Sequence, residues 1–331
     1  MSSLWQLTGS KQSALLPVAG HASTYTVGRK DQDVTIDGDK SISRAHCTLE
    51  VGADNTLYVT DPGSKFGTFV NGTKLEHHAR TALAAGATLK VGETAFEVAR
   101  VPLVFCASSC KGADKSALQG AAATLGAPVI GEWRADVTHL VMPTIAFTPK
   151  LLHALAAAVP VVLPAWAAAA AARTTAGQPL PDVDAFKPAV ARAAAGASQT
   201  QTLDADVVRV KPERQTLFAG LRFVAPPGAA RGDDEKILVM MGAEVTPWPA
   251  SVRADDDAAA RRFIADRFAT GWHFFTTDAK HEARVAAACG AAPLTVQQLR
   301  ACLLYCSLSH WRAPGASQES QASQEPAADE P

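Results

Sequence analysis

The chain has 331 residues, with 31 Lys and Arg against 32 Asp and Glu and 47% hydrophobic residues. This length and apolar content predict two to three globular domains. The formal net charge of −1, without any cluster of five or more basic residues, argues against strong direct binding of DNA through its phosphate backbone.

The cysteine content and the apolar runs exclude two further classes. Six cysteines are too few for a disulfide scaffold, and their spacing does not match common zinc sites. We expect reduced thiols in a cytosolic or nuclear protein, with no metal site and no cofactor. The longest apolar run, residues 159–172, contains Pro160 and Pro164 and is too short and broken to span a bilayer.

Residues 1–101 contain short alternating stretches separated by Gly, Asp and Asn. These stretches lie at residues 25–28, 47–51, 56–61, 68–71, 88–91 and 95–101. Strands of this length, separated by turn residues at such intervals, predict an all-β sandwich.

The pattern changes at residue 102. Apolar stretches alternate with helical ones over residues 102–182, which predicts an α/β domain with a parallel sheet. Residues 183–213 are predicted to be a linker, and the same alternation over residues 214–312 predicts a second α/β domain. Residues 313–331 lack a hydrophobic anchor and are predicted to be disordered.

Three loops of the predicted sandwich carry side chains suited to bind a phosphate, at residues 28–30, 41–46 and 61–71. Each loop lies between predicted strands, so a rigid sheet can bring the loops together. Ser hydroxyls, a guanidinium and a Lys ammonium that converge would satisfy the oxygens of a phosphate dianion through charge-assisted hydrogen bonds. The pattern predicts a protein that binds phosphorylated peptides.

These loops resemble the signature of a forkhead-associated (FHA) domain. The matching elements are Gly28-Arg29, Ser43-x-x-His46, Ser64-x-x-Gly67-Thr68 and Asn71. The resemblance implies that Arg29 and Ser43 bind the phosphate of a phosphothreonine and that Lys65 or Arg44 supports them. It also implies that five residues brace the loops, namely Gly28, His46, Gly67, Thr68 and Asn71.

Two features of the loops bear on the peptide itself. Phe66 stands where many FHA domains have an Asn that holds the peptide backbone. Lys30, Arg44 and Lys65 leave positive charge around the predicted pocket. This charge predicts a preference for an acidic residue a few positions C-terminal to the phosphothreonine.

Residues 102–182 resemble a BRCT repeat, whose fold contains a parallel four-stranded sheet. The matching elements are an apolar strand at 103–106, a small-residue turn at 125–127, the stretch 138–142 and Trp166. Phosphate-binding BRCT repeats place a Ser or Thr after the first strand and Thr-x-Lys at the start of the second helix, where the helix N-terminus favours an anion.

The BRCT resemblance assigns these phosphate-binding positions to Ser108, Thr148 and Lys150, with Ser109 as an alternative to Ser108. The Thr-Pro pair also suits an ordinary helix cap, so a purely structural role stays open. Residues 214–312 resemble a more degenerate BRCT repeat. No comparable Ser/Thr and Thr-x-Lys set can be placed there, so this second repeat is predicted to be structural.

An FHA domain joined directly to two BRCT repeats resembles the arrangement in the regulatory subunit of the DNA double-strand-break repair complex. That family implies a non-enzymatic scaffold in the nucleus that brings the nuclease complex to chromosomal break sites. The implied partners are phosphorylated peptides of DNA-damage mediator and end-resection proteins, the nuclease and ATPase subunits of the complex, and a checkpoint kinase. The subunits and the kinase bind C-terminal motifs that are not recognised in this sequence, and no membrane partner is expected.

Two alternative functions are open. An enzyme that uses FHA or BRCT modules for targeting would need a catalytic domain, and no Gly-x-x-x-x-Gly-Lys-Ser/Thr loop occurs. A different checkpoint adaptor would carry the same modules with other partners. The direct junction near residues 101–102 argues against adaptors in which long linkers separate the modules.

The C-terminal tail should be a kinase substrate. Ser317, Ser320 and Ser323 are each followed by Gln, the preference of DNA-damage checkpoint kinases, although a solubilising Ser- and Gln-rich tail would look similar. Phosphorylation would add charge far from any apolar core, so it should leave folding stability unchanged and act on partners. Mass spectrometry of protein from irradiated cells should find phosphate on these serines, and well-covered tail peptides without phosphate would contradict the prediction.

Overall fold

The computed structural model describes residues 3–10, 12–17, 24–190, 205–225, 232–253 and 255–311. These residues form two compact units. Unit 1 comprises the described residues within 1–151 and 159–209, and unit 2 comprises those within 152–158 and 210–331. The predicted tail phosphorylation sites Ser317, Ser320 and Ser323 lie outside the described residues.

A β-sandwich of eleven strands occupies the described part of residues 3–102. One sheet has the order β2-β1-β11-β10-β7-β8 and the other has the order β4-β3-β5-β6-β9. The strands are β1 (Ser3–Gly9), β2 (Ser13–Leu16), β3 (Thr24–Gly28), β4 (Val34–Thr35), β5 (Cys47–Val51), β6 (Leu57–Thr60), β7 (Thr68–Val70), β8 (Thr73–Lys74), β9 (Thr81–Leu83), β10 (Thr88–Val91) and β11 (Thr94–Pro102).

Alternation of apolar and polar residues places one face of these strands in the core. Leu57 and Val59 of β6 are fully buried, as are Leu89 and Val91 of β10, whereas their neighbours in the strands face outward. Side chains of successive strand residues point to opposite faces, so this alternation buries one face of each sheet. The predicted all-β sandwich is confirmed.

The sandwich continues directly into the first α/β domain within unit 1. Strand β11 pairs with the whole of β1, up to Ser3 opposite Pro102, and the next strand begins at Phe105. Leu4 and Leu15 of the sandwich strands pack into the hydrophobic core of the α/β domain. Arg173, only 1% exposed, donates hydrogen bonds to the carbonyls of Leu15 and Gln178.

The first α/β domain has a four-stranded parallel sheet in the order β13-β12-β14-β16. Its elements are β12 (Phe105–Ala107), α1 (Gly112–Leu125), β13 (Val129–Ile130), β14 (His139–Val141), β15 (Thr144–Ile145), α2 (Pro149–Ala156), β16 (Val161–Val162) and α3 (Pro164–Ala171). Helix α1 ends at Gly126, whose φ of +62° is the left-handed conformation that glycine adopts without strain. The fully buried Trp166 packs its ring edge-on to Phe105 in the core.

The segment predicted as a linker contains short elements. Residues Val183–Phe186, Ala205–Val208 and Pro212–Thr216 form 3-10 helices, and β17 (Ala189–Val190) pairs in parallel with β15. Residues 191–204 of this segment lie outside the described residues.

Unit 2 contains a second α/β sheet with the same topology, in the order β19-β18-β20-β21 and parallel throughout. Its elements are β18 (Arg222–Val224), α4 (Asp233–Met240), β19 (Glu244–Thr246), α5 (Asp257–Ala269), β20 (His273–Thr276), α6 (Ala279–Cys289), β21 (Leu294–Thr295) and α7 (Val296–Tyr305). The predicted fold class, an FHA-like sandwich followed by two parallel four-stranded α/β domains, is confirmed.

All six cysteines are free thiols, and three of them are fully buried. Burial raises the pKa of the Cys47 thiol to about 12, with a smaller contribution from the nearby carboxylate of Asp61. Within the part of the chain that the structure describes, no helix combines the length and apolarity needed to cross a membrane.

The stability of the first α/β domain should fall as the pH is lowered below neutrality. His139 is 8% exposed and stacks on Trp166 with ring centroids 4.1 Å apart, and burial lowers its pKa from 6.5 to about 4. The unfolded chain therefore binds a proton near pH 6.5 that the folded chain binds only near pH 4. The contribution of neutral His139 to the free energy of unfolding is complete above pH 6.5. It is lost as the pH falls towards 4, and the loss amounts to up to about 3 kcal/mol.

Urea unfolding at several pH values tests this prediction. Replacement His139→Gln should flatten the dependence of the unfolding free energy on pH between 6.5 and 4.5, whatever it does to stability at pH 7. Replacement of the exposed His77 by Gln is the matched control and should behave as the wild type. Equal pH slopes in all three proteins would contradict the assignment.

Candidate phosphate-binding sites

A close approach of two loops forms the first site at one end of the sandwich. Gly28 ends β3, and a Cβ atom there would lie 2.1 Å from the carbonyl oxygen of Arg44, so any larger residue would push the loops apart. The next backbone N–H, from Arg29, donates to the carbonyl of Ser43 at 3.0 Å. Arg29 and Ser43 are therefore neighbours through their backbones.

His46 joins the Ser43 loop to the loop that follows β6. Its ring is fully buried, and Nδ1 accepts the N–H of Ser43 at 3.0 Å. Because Nδ1 is the acceptor, the ring proton lies on Nε2, which donates to the carbonyl of Gly67 at 3.1 Å. One neutral imidazole thus fixes both loops.

Asp61 organises the second of these loops from within. Its buried carboxylate accepts hydrogen bonds from the N–H groups of Gly63 and Ser64 and from the Ser64 hydroxyl. Burial alone would raise its pKa, but these hydrogen bonds outweigh burial and lower the pKa to about 2. The Ser64 hydroxyl in turn accepts the N–H of Gly67 at 3.0 Å.

The residues that follow Ser64 connect this loop to the neighbouring strands. Gly67 has a φ of +85°, and Thr68, fully buried, begins β7. Asn71, with a φ of +50°, accepts the N–H of Thr88 through Oδ1 at 2.9 Å and donates its own N–H to the Thr88 carbonyl. These contacts join the β7–β8 turn to β10.

The predicted phosphate ligands face outward around Ser43. The Ser43 hydroxyl is half-buried and accepts the N–H of Lys65 at 3.4 Å, while the side chains of Arg29, Arg44 and Lys65 are exposed. No ion pair involves these three cations among the described residues. The structure thus places the backbones of Arg29 and Lys65 against Ser43, with Arg44 directly after it.

The other serines of these loops have structural partners. The Ser41 hydroxyl bonds to Asp39 and accepts the N–H of Glu93, and the Ser64 hydroxyl is bound to Asp61. The Ser43 hydroxyl, by contrast, is bound only by the Lys65 backbone N–H among the contacts described. Asp61, which no motif assigned to a role, explains why Ser64 is needed in this loop.

A second candidate site lies at the C-terminal end of β12 in the first α/β domain. Ser108 is 3% exposed, and its hydroxyl lies 3.3 Å from that of Thr148. Thr148 also accepts the N–H of Leu151 and so begins α2. The Lys150 ammonium donates to the carbonyl of Ala107 at 2.8 Å.

These contacts bring all three predicted BRCT residues to one place. Two hydroxyls, an ammonium and the N-terminus of α2 are together suited to bind an anion. Thr148 serves as a helix cap in addition, so the capping interpretation and the binding interpretation are compatible. Ser109, the alternative to Ser108, is exposed and has a left-handed φ of +59°.

The corresponding helix start in unit 2 carries a carboxylate where the first repeat has the Thr148 hydroxyl. Asp278 caps the N-terminus of α6, and its carboxylate accepts the N–H of His281 at 2.8 Å. An open groove of about 810 Å³ beside it is also lined by Asp234, Glu282 and Arg300. A carboxylate therefore occupies the helix N-terminus that would bind an anion, which disfavours a phosphate there.

Comparison with known families agrees with this architecture. A family model described as "FHA domain" matches residues 25–92, and one described as "twin BRCT domain" matches residues 103–166. The chain thus carries an FHA domain followed by BRCT repeats, modules through which proteins bind other proteins.

Nibrins are among the individual relatives of the chain. It is 32% identical to nibrin of Danio rerio over 225 residues, which cover 67% of this chain and 26% of that protein. It is 34% identical to nibrin of Gallus gallus over 229 residues, which cover 63% of this chain and 30% of that protein. The resemblance to the repair-complex subunit is confirmed, although the matches span less than a third of the relatives' length.

Among solved structures, the chain matches one described as "Structure of the S. pombe Nbs1-Ctp1 complex". It is 15% identical, has a TM-score of 0.49, and the match covers 90% of this chain and 92% of that chain.

Proposed function

We propose that this chain is a non-enzymatic scaffold that binds phosphorylated proteins in the repair and checkpoint response to DNA double-strand breaks. The observation that carries the proposal is the position of Ser43. Its carbonyl binds the Arg29 backbone, its N–H binds His46, and its hydroxyl lies at the Lys65 backbone among exposed cations. The binding group is held by the backbone before any ligand arrives, which lowers the entropic cost of binding.

The proposed ligand of the FHA site is a phosphothreonine. A phosphate carries about −1.5 to −2 charges and three acceptor oxygens at neutral pH. The guanidinium of Arg29 and the hydroxyl of Ser43 would bind these oxygens, and Lys65 or Arg44 would add charge-assisted hydrogen bonds. The bracing residues would act only by holding the loops. The side chains of His46 and Asn71 are bound to other loop atoms, Thr68 is fully buried, and Gly28 and Gly67 have no side chain.

The BRCT site is proposed to bind a second phosphorylated residue, a phosphoserine or phosphothreonine. The hydroxyls of Ser108 and Thr148 would donate hydrogen bonds to the phosphate, and the ammonium of Lys150 would supply the positive charge that balances it. The ammonium of Lys150 already lies next to the strand end through its bond to Ala107, so it requires little reordering. The BRCT repeat of unit 2 is proposed to be structural, because Asp278 would repel an anion.

The proposed cellular role follows the nibrin relatives. The chain would work in the nucleus at chromosomal breaks and would bring the nuclease complex to phosphorylated mediator and end-resection proteins. The matched region covers less than a third of each nibrin relative. The nuclease, ATPase and kinase partners are therefore proposed for a whole nibrin-like protein and not for the matched region alone.

Replacement Arg29→Ala should weaken the binding of a phosphothreonine peptide about tenfold or more, because a charged hydrogen bond contributes roughly 1.5–3 kcal/mol. Calorimetric titration of the full chain with phosphorylated and unphosphorylated versions of one peptide measures the effect. Replacement of the exposed Arg262 of α5 by Ala removes the same charge and should leave the affinity unchanged. Equal binding of both peptides by the wild type would refute the proposal.

Replacement Lys150→Glu should abolish phosphate-dependent binding at the BRCT site and leave binding at the FHA site intact, because it reverses the charge at the start of α2. Binding to an array of phosphoserine peptides is measured for the wild type and for the Arg29→Ala variant. Because Arg29→Ala weakens the FHA site, the binding that remains reports on the BRCT site. Ser108→Ala is a milder second variant, and the exposed Lys115→Glu of α1 is the charge-matched control. If Ser108→Ala and Lys150→Glu retain all phosphate-dependent binding in the Arg29→Ala background, the site is structural only.

A further inference from the structure

Two arginines of unit 2 lie against one tryptophan ring. Arg222 begins β18 and Arg267 lies in the last turn of α5, and their guanidinium carbons lie 5.0 and 5.3 Å from the centre of the Trp272 ring. Trp272 is 8% exposed and belongs to the hydrophobic core, whereas Arg222 is half-buried and Arg267 is exposed. The indole therefore holds two guanidinium groups at the surface of the second α/β domain.

This arginine pair, Arg222 and Arg267, has no carboxylate partner among the described residues. Arg222 uses one N–H for a hydrogen bond of 2.6 Å to the carbonyl of Thr270 at the end of α5, and a guanidinium has five such donors. Glu244, opposite Arg222 on β19, and Asp266, next to Arg267, are exposed and form no ion pair with either arginine.

Two unpaired guanidinium groups on one ring are suited to bind an anion. Each presents planar N–H groups that match the oxygens of a phosphate or a carboxylate. Contact with Trp272 already restricts both side chains, so little further side-chain entropy is lost on binding. The two positive charges also repel each other, and a bound anion would relieve this repulsion.

The described chain ends beside this arginine pair. The ring of Trp311 lies 5.4 Å from that of Phe223 and 5.3 Å from that of His273. Phe223 directly follows Arg222, and His273 directly follows Trp272. Burial lowers the pKa of His273, and the charge of Arg222 lowers it further, which agrees with this proximity.

The segment that follows Trp311 has to pass around the start of the sheet to reach the arginine pair. Successive strand residues point to opposite faces, so Trp311 and Trp272 lie on opposite faces of the sheet. Thr270 and Gly271, which connect α5 to β20 at this edge, are exposed. Ser317 is six residues beyond Trp311 and can lie up to about 20 Å from it, which exceeds the roughly 10 Å between packed layers.

The tail, residues 313–331, has the charge that the arginine pair lacks. It contains four carboxylate side chains and no Lys or Arg. Phosphorylation of its Ser-Gln serines would add about −1.5 to −2 charges at each position. The carboxylates are those of Glu319, Glu325, Asp329 and Glu330, and the serines are Ser317, Ser320 and Ser323.

We propose that the arginine pair is the docking site of the acidic tail of the same chain, and that phosphorylation of the three serines strengthens this docking. The proposal depends on neither phosphate-binding site described above, because both lie in unit 1. A short tether raises the effective concentration of the tail to the millimolar range, so a weak contact suffices. Docking should also stabilise unit 2, whereas the sequence alone predicted that phosphorylation leaves stability unchanged.

The first test uses a fluorescent peptide of residues 313–331 with phosphate on all three serines. It is titrated by fluorescence polarisation into the full chain carrying Arg29→Ala and Lys150→Glu, in which both phosphate-binding sites are weakened. The phosphorylated peptide should bind at least tenfold more tightly than the unphosphorylated one, because each phosphate adds charge-assisted hydrogen bonds. Equal binding of the two peptides would overturn the proposal, whatever the FHA and BRCT sites do.

Replacement Arg267→Gln in this background should weaken binding of the phosphorylated peptide at least fivefold, since Arg267 makes no hydrogen bond within the described residues that folding requires. Arg222→Gln is the second variant and should have a similar effect. The matched control is Arg262→Gln, because Arg262 is exposed on the same helix and contacts no aromatic ring among the described residues. An equal loss in the control would mean that only long-range charge is at work and would contradict the assignment.

The second test asks whether the tail docks on its own chain. The full chain made with phosphoserine at positions 317, 320 and 323 should bind the added phosphorylated peptide at least tenfold more weakly than the unphosphorylated chain, because its own tail occupies the site. Equal affinities would show that the tail does not reach the site. A short DNA duplex that loses more affinity than the peptide on Arg267→Gln would assign the surface to nucleic acid and would also overturn the proposal.

Discussion

The candidate FHA site depends on one buried imidazole. His46 accepts a hydrogen bond from the Ser43 backbone and donates one to the Gly67 backbone, so it joins two loops that share no strand pairing. No other side chain of similar size offers both an acceptor and a donor at opposite edges of a rigid ring. Without it, the Ser43 N–H would lose its partner, at a cost of about 1–3 kcal/mol, and the Gly67 carbonyl would keep only the N–H of Gly92 at 3.3 Å.

The acidic side chains of the loops leave the cations free. Asp61 and Asp39 both have pKa values lowered to about 2, because hydrogen bonds from hydroxyl and backbone groups outweigh the opposing effect of burial. Their negative charge is therefore stabilised by neutral donors rather than by Arg or Lys. Arg29 and Lys65 consequently stay unpaired within the described residues and can meet the charge of a ligand.

Local patterns explain which parts of the structure could be predicted from the sequence. The sandwich strands alternate in polarity and are bounded by turn residues, and each motif of the FHA signature lies within one loop, so both are visible in the linear sequence. The place of Leu4 and Leu15 in the core of the first α/β domain has no such pattern, because it depends on packing between distant parts of the chain. The hydrogen bond from Arg173 to the Leu15 carbonyl could not be predicted either, since the two residues lie far apart in the sequence.

The individual elements of the second α/β domain are harder to predict from the sequence than its fold class, because its apolar pattern is weaker. Helix α5 has no clear apolar periodicity, because only Ala260 and Ile264 of its residues are buried. The first strand of this domain begins only at Arg222, although the apolar stretch starts at Phe218, because Gly220 has a φ of +80° and interrupts the extended chain. Phe218 nevertheless reaches the core, which explains its apolar pattern.

The joint between the sandwich and the first α/β domain limits how the chain can be divided. A cut at the family boundary near Pro102 would remove β12 and α3 from beneath Leu4 and Leu15, and these two leucines would then face water. It would also free the Leu15 carbonyl from Arg173. The sandwich alone would therefore expose an apolar patch that favours aggregation. A fragment that carries the phosphothreonine loops should for this reason include the first α/β domain as well.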